Sequence, residues 1–416
     1  MPPVGSARLP WDEPVDDPVG AIAADRAALG DTFAVESGDM TYLFVFSPDG
    51  VRAFYDIAED VASKGIADMR MLSRKVPVDL FFDRRTIPHD MFTRSLAEAY
   101  VANVDAARVH EIGVLGDEAE VDVFDLTRRL GHRFGLASWG GPGASASPLF
   151  ERLVPALDRL DASAAFVTPE AMAVIAENDH AVEREALADI ADAYRTVVAA
   201  HDDDPTPGMF ATIAGRWEGA EGRVAGIAHD VALVHLGSMS NLFAALGWAI
   251  VHLAQRPESA ARVAGGDRSF AQRCALESTR LAQRSIMLRE VLQPTKVEVD
   301  GVEYALEVGA TLATLLPLTN TTAAEGLEAF DPDRWSGRRL GDHPDLAARE
   351  LVTGFGHGSH TCPAQPFSLR VMVDTVVELF ATFEVAIGAD DPTPRRGQIG
   401  GVARSDSPCP IRLRRR

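Results

Sequence analysis

The segment 222–255 holds the longest helical pattern in the chain, and it is apolar on nearly every side. Its apolar residues keep a helical period, and they are Ile227, Val231, Val234, Leu236, Leu242, Phe243, Leu246 and Ile250. A helix without a polar face has to be covered by other elements. The segment therefore predicts a buried central helix, which ends before Pro257.

Cys362 lies in the loop 355–364, FGHGSHTCPA, just before a second segment with helical spacing at 367–377. A cysteine at a helix N-terminus meets backbone N–H groups and the positive end of the helix dipole, and both favour the thiolate. Such a thiolate is a good ligand for a soft metal centre, of which heme iron is one. The loop therefore predicts a cysteine ligand, and the alternative is a buried structural cysteine in a glycine-rich turn.

The pattern Phe355-x-x-Gly358-x-x-x-Cys362-x-Ala364 resembles the heme-binding loop of the cytochrome P450 family. His360 stands where many bacterial members carry a histidine or arginine that contacts a heme propionate. Ala364 replaces the glycine that the family usually has there. The resemblance implies that the Cys362 thiolate is the metal ligand.

The same resemblance implies a mainly α fold, the triangular prism of the family with a small β region, in a single domain over residues 1–416. Heme b is the implied cofactor, and Phe355 and Gly356 are expected among the residues that surround it. The expected parts are an irregular N-terminus at 1–20, an N-terminal β region at 32–60, the central I helix at 222–255, and the heme-thiolate loop with the L helix at 354–377.

Two further motifs follow in the order that the family has. Glu277 and Arg280 are three residues apart, so both charges lie on one helix face and can pair. They resemble the K-helix signature of the family, and Arg334 in the segment 330–335 resembles its third member. We expect this network to be structural, because buried charges are tolerated only when they satisfy one another.

Arg289 matches an arginine that grips a heme propionate in the family. A plain strand is the alternative interpretation of the segment 285–291. His89 and Arg94 lie where members place a histidine and an arginine against the propionates, with one more intervening residue than usual. The alternative for these two is a solvated basic loop. The candidates for the substrate pocket are Met239, Ile286, Met287 and Leu288.

The central segment departs from the family at its midpoint. Most oxygen-activating members carry an acid followed by threonine there and relay protons through them, but this chain has Ser240 and Asn241. Both are catalytic candidates, since a buried asparagine needs a partner or a role. The alternative for Asn241 is a helix residue bonded to a backbone carbonyl. The asparagine resembles the branch that contains prostacyclin synthase and bile-acid hydroxylases.

The resemblance implies a monooxygenase that hydroxylates a small organic substrate in bacterial specialised metabolism. It also implies an external ferredoxin and ferredoxin reductase, because the chain has no flavin or iron–sulfur domain. The Ser240–Asn241 pair leaves a second hypothesis open, an atypical isomerase or peroxide-using heme-thiolate enzyme. A third is a non-catalytic heme- or ligand-binding protein.

Charge and cysteine content argue against several other classes. The chain has 416 residues and a formal net charge of −21, whereas nucleic-acid binding needs a basic surface and anionic membranes attract basic segments. The three cysteines form no disulfide framework and fit a reducing cytosol. No signal peptide or membrane anchor is recognisable near the N-terminus. We expect a cytoplasmic protein without nucleic-acid or membrane partners.

Local patterns predict the remaining elements. Helices are expected at 19–29, from Ser47 onward, and at 96–109, 121–138, 148–164 and 169–200. Strands are expected at 32–36 and 42–46, a hairpin with an Asp-Gly turn at 297–304, a strand beside it at 310–316, and a C-terminal β turn at 402–409 whose tip reaches the pocket.

Overall fold

The structure, a computed structural model, describes residues 2–81, 88–161, 169–388 and 391–416. This part of the chain is mainly helical and has three small β-sheets. The helices are α1 Pro18–Leu29, α2 Pro48–Asp56, α3 Lys64–Ser73, α4 Pro88–Met91, α5 Arg94–Gly113, α6 Val123–Trp139, α7 Leu149–Leu160, α8 Pro169–Glu177, α9 Ala181–Asp203, α10 Met209–Arg216, α11 Arg223–Ala254, α12 Pro257–Ala264, α13 Arg268–Ala282, α14 Leu316–Thr322 and α15 Gln365–Thr382. The strands are β1 Thr32–Ser37, β2 Met40–Val45, β3 Ala62–Ser63, β4 Glu118–Asp122, β5 Ile286–Val291, β6 Thr295–Val299, β7 Val302–Leu306, β8 Thr311–Leu315, β9 Phe383–Ile387 and β10 Pro410–Arg415.

Helix α11 forms the centre of the fold. It packs against α6, α9, α13 and α15. Its composition and length would suffice to cross a membrane, but 78% of its most apolar window is buried against the rest of the chain. This burial is typical of a core helix, and it confirms the predicted central helix. Gly237 and Asn241 are exceptions on this helix, because both are exposed.

The largest sheet has the strand order β1-β2-β8-β5-β3. Strand β2 runs parallel to β8, while β5 runs antiparallel to both of its neighbours. The hairpin β6–β7 forms a sheet of its own, with Asp300 and Gly301 in left-handed conformations at its turn. The prediction that the strand at 310–316 lies beside this hairpin is therefore wrong. All five residues of β8 are buried, so this strand needs a sheet partner on each side.

The predicted helix at 169–200 is also wrong, because the structure has two helices there. Helix α8 ends at Glu177, and Asp179 and His180 then have φ values of 48° and 54°. This left-handed backbone cannot continue a right-handed helix. Elsewhere the predicted helices and strands occur with small shifts of their ends. Residues 162–164 of the predicted helix at 148–164 lie outside the described residues.

The predicted charge network is present, with one added member. Glu277 and Arg280 are both 0% exposed, and Nε and Nη2 of Arg280 each donate to the Glu277 carboxylate at 2.8 Å. Arg334, the predicted third member, forms a longer ion pair, with its Nε 4.0 Å from Glu277, while its Nη2 donates to the Gly326 carbonyl oxygen at 2.8 Å. Trp335 Nε1, which the sequence did not predict here, donates to the same carboxylate at 2.7 Å.

We predict that Glu277→Gln lowers the free energy of unfolding by about 3–5 kcal/mol, because Arg280 then keeps a buried charge without a counter-charge. Urea denaturation measures this change. The control is Glu303→Gln, which removes a carboxylate from an exposed ion pair with Lys296 and is expected to change the free energy of unfolding by less than about 1 kcal/mol. Equal effects of the two substitutions would contradict the structural role of the buried pair.

Candidate functional site

The loop that carries Cys362 is closed by its own backbone. The Cys362 N–H donates to the Phe355 carbonyl oxygen at 2.7 Å. Gly356 has a φ of +77°, and a Cβ at this position would lie 2.4 Å from the His360 carbonyl oxygen. A residue with a side chain would therefore force the loop apart. Helix α15 begins at Gln365, only three residues after the cysteine.

The backbone N–H groups of Ala364 and Gln365 act to lower the pKa of the Cys362 thiol, and the Gln365 N–H donates to the Cys362 carbonyl oxygen at 3.2 Å. These donors are the ones that a position before a helix N-terminus predicts. Burial of the thiol is nevertheless the larger effect, and it raises the pKa of Cys362 while the two N–H groups act to lower it. The expectation that the loop favours the thiolate is therefore only partly met. A metal ion at the sulfur would supply the positive charge that favours deprotonation.

A buried asparagine connects the Glu277–Arg280 pair to this loop. Asn320, 0% exposed, accepts a hydrogen bond from the Arg280 guanidinium with its backbone carbonyl. Its side-chain nitrogen donates to the Thr353 carbonyl oxygen at 2.9 Å, and its side-chain oxygen accepts the Thr353 N–H at 2.8 Å. The Thr353 hydroxyl then donates to the Gly356 carbonyl oxygen at 3.1 Å. No sequence pattern pointed to Asn320, since its partners come from distant segments.

The structure brings Arg289 and His360 into contact. Arg289 is 1% exposed, and its Nη1 lies 2.8 Å from Nε2 of His360. Its Nη2 lies 3.1 Å from the half-exposed carboxylate of Glu59. The carbonyl oxygens that accept its other hydrogen bonds belong to Phe54, Ile57 and Ala62. Burial, followed by the guanidinium of Arg289, lowers the pKa of His360, so its imidazole is neutral and accepts from the guanidinium.

Two other predicted contacts to the cofactor stay predictions, because the side chains of His89 and Arg94 lie outside the described residues. Within the described ranges, no three His, Cys, Asp or Glu side chains gather into a metal site. A heme iron, however, needs only one protein ligand of this kind, the cysteine thiolate.

A cavity of about 400 Å³ lies between α3, α11, β5 and the segment 398–404. Five predicted site residues line it, and they are Ser240, Asn241, Ile286, Met287 and Leu288. Met239, predicted with them, lines a separate cavity of about 10 Å³ instead, because it lies on another face of α11. None of the described residues that line the larger cavity belongs to the cysteine loop.

Sequence reasoning missed much of the cavity wall. The missed residues that matter most are Met71, Leu72, Lys75, Asp161, Ile399 and Arg404. The predicted C-terminal turn at 402–409 does reach the cavity, but the lining begins earlier, at Gln398. The only available signal was the run of glycines at 400 and 401, which permits close approach to a neighbouring element.

Asn241 fastens this C-terminal segment to the central helix. Its side-chain oxygen accepts the Val402 N–H at 2.9 Å, and a Cβ on Gly401 would lie 2.5 Å from that oxygen. Asn241 is exposed to the cavity, not buried, and it binds a backbone N–H, not the carbonyl that the alternative interpretation required. Its acceptor is therefore occupied by the protein itself.

No protein-family model matches the chain. A comparison with curated proteins likewise found no significant match. The functional argument therefore depends on the motifs and on the geometry above.

We predict that Asn241→Leu speeds hydrogen exchange of the Val402 amide by about tenfold, because the amide loses its acceptor. Exchange measured by NMR on the folded protein tests this. Asn241→Asp keeps an oxygen at the same place and is expected to preserve the slow exchange. If the leucine variant exchanges as slowly as the unmodified protein, the tether does not hold this segment.

We also predict that His360 titrates below its ordinary pKa of about 6.5. The folded protein then binds fewer protons than the unfolded chain, so the stability that His360 contributes is present above that pH and is lost as the pH falls toward the lowered pKa. The chemical shift of the His360 ring protons against pH reports the midpoint. A midpoint at 6.5 or above would contradict the neutral, accepting imidazole.

Proposed function

We propose that the chain is a heme-thiolate monooxygenase with the fold of the cytochrome P450 family. The observation that carries the proposal is the cysteine loop, in which Cys362 lies three residues before the start of α15 and Gly356 permits a close approach that no side chain would allow. The mainly helical architecture with small sheets supports the finer assignment. On this proposal residues 1–416 form one cytoplasmic P450 domain.

The residues present fit heme b. Cys362 would hold the iron, and Arg289 and His360 would face the propionates. The donor chemistry supports this, since Arg289 already takes one carboxylate, that of half-exposed Glu59, at 3.1 Å, and a propionate offers the same group. The bound heme would supply oxygen activation, which a thiolate ligand promotes.

The chain's own contribution is to position the substrate and exclude water. Ile286, Met287 and Leu288 offer an apolar surface inside the cavity, on which a small organic molecule would lose its contact with water. Asn241 fixes the facing segment through Val402. Electrons would come from an external ferredoxin and ferredoxin reductase. A small organic substrate is typical of bacterial specialised metabolism, in which we place the reaction.

A second candidate function is an isomerisation or a peroxide-dependent oxidation on the same heme. One observation favours it. Asn241 is an amide and not the carboxylic acid that a proton relay uses, and its oxygen already accepts the Val402 N–H. The oxygen of a peroxide or an endoperoxide is already reduced relative to dioxygen. Reactions that start from such a compound therefore depend less on proton delivery.

Turnover under three regimes separates these candidates. The heme-loaded protein is incubated with a substrate panel and either ferredoxin, its reductase and oxygen, or hydrogen peroxide, or neither. The monooxygenase proposal expects products that depend on the reductase pair and contain an oxygen atom from dioxygen. Products with peroxide alone, or rearranged products without any oxidant, favour the second candidate. Heme binding without turnover in all three regimes would reject both in favour of a heme carrier.

We predict that Cys362→Ala abolishes the thiolate-type absorbance of the ferrous–CO complex after hemin titration, because the alanine offers no ligand. Cys409→Ala is the control, since this cysteine is also free and is fully buried elsewhere. An unchanged spectrum in the Cys362 variant would reject the ligand assignment. Failure of the unmodified protein to take up hemin would reject the proposed function.

A further inference from the structure

The 400 Å³ cavity has two chemically different walls. One wall is apolar and is formed by β5 with Ile399 and Val402. The other wall carries charged side chains, which are not required to bind a purely apolar substrate. It contains Lys75 from the end of α3, Asp161 from the end of α7, and Arg404 from the C-terminal segment. Burying charges beside a cavity costs free energy, so the presence of these side chains needs a physical reason.

Both cations on this wall contact the same carboxylate. Lys75 is 2% exposed, and its Nζ donates to Asp161 at 2.9 Å. Arg404 Nη2 lies 3.5 Å from the other oxygen of the same carboxylate. Two cations therefore share one carboxylate inside the cavity. Burial lowers the pKa of Lys75, Asp161 opposes this effect, and Arg404 adds to it, which is the expected mutual repulsion of the two cations.

The other charged groups nearby have partners of their own. Lys64 and Asp68 pair with each other. Buried Glu183 of α9 joins Asp161 in opposing the lowered pKa of Lys75, so this lysine has a second carboxylate nearby. Neither group approaches Arg404 in the described part of the chain.

The guanidinium of Arg404 also has donors to spare. In the ranges that the structure describes, its side chain makes the single 3.5 Å contact to Asp161 and is 28% exposed. An arginine offers five N–H donors in a planar fork that matches the two oxygens of a carboxylate.

We propose that the cavity binds an amphipathic carboxylic acid, with its carboxylate on Arg404 beside the Lys75–Asp161 pair and its hydrocarbon body on the apolar wall of β5, Ile399 and Val402. This substrate class rests on the proposed function, which makes the same cavity the place of reaction. With the acid end held on Arg404, oxidation would fall on the hydrocarbon part of the molecule.

Calorimetric titration of the purified protein with matched probes tests the inference. The probes are the straight-chain acids from octanoate to hexadecanoate, each compared with its primary alcohol. At least one acid is expected to bind more tightly than its alcohol. Arg404→Gln is expected to weaken binding of that acid by about 10- to 100-fold and to leave the alcohol unchanged. Arg404→Lys keeps the charge without the fork and is expected to lose less.

The control variant is Arg396→Gln, which removes the same charge from an exposed position on the same segment and is expected to bind the acid normally. If no acid in the series binds more tightly than its alcohol, or if both glutamine variants weaken acid binding equally, the inference is overturned. Should Arg404→Gln fail to fold, the acid–alcohol comparison in the unmodified protein still decides. Acid binding without hemin uptake would overturn only the proposed function, and hemin uptake without acid preference would overturn only this inference.

Discussion

The ion pair between Glu277 and Arg280 is the interaction on which the cysteine loop depends. Both side chains are withdrawn from water, so the protein itself has to satisfy every donor and acceptor they carry. The guanidinium reaches Asn320, whose amide in turn binds Thr353 through two hydrogen bonds. Thr353 then holds the start of the loop that leads to Cys362. The loop that carries the sulfur is therefore held from behind by this series of hydrogen bonds.

The two walls of the cavity are held in place in different ways. Its apolar wall lies on a strand inside a sheet, whereas the facing segment has few regular hydrogen bonds and is attached at separate points. Asn241 holds Val402, and Arg284 donates to the carbonyl oxygen of Gln398 at 2.6 Å. A wall attached in this way can vary in sequence between its anchor points without disturbing the core. The residues that line this side of the cavity can thus differ while the core stays the same.

Local signals predicted the central helix, the cysteine loop and the paired charges of α13, because each depends on residues close together in the chain. The cavity wall was missed because its contacts depend on distant segments; Lys75 and Asp161 are 86 residues apart in sequence. Likewise, nothing local indicated that Trp335 would donate to the Glu277 carboxylate. The helix predicted at 169–200 failed for another reason. Strong helical patterns flank the break, which depends on the left-handed backbone of two residues, one of them His180.

The burial of α11 also affects the solubility of the chain during its synthesis. Two of the helices that cover it, α13 and α15, follow it in sequence. During synthesis the ribosome therefore releases this apolar helix of 32 residues well before α15, the last helix that covers it, has been synthesised. Exposed surface of this kind is prone to aggregate and is what chaperones bind. Yield in a foreign host should accordingly be limited by protection of the nascent chain, and fragments that stop short of α15 should be insoluble.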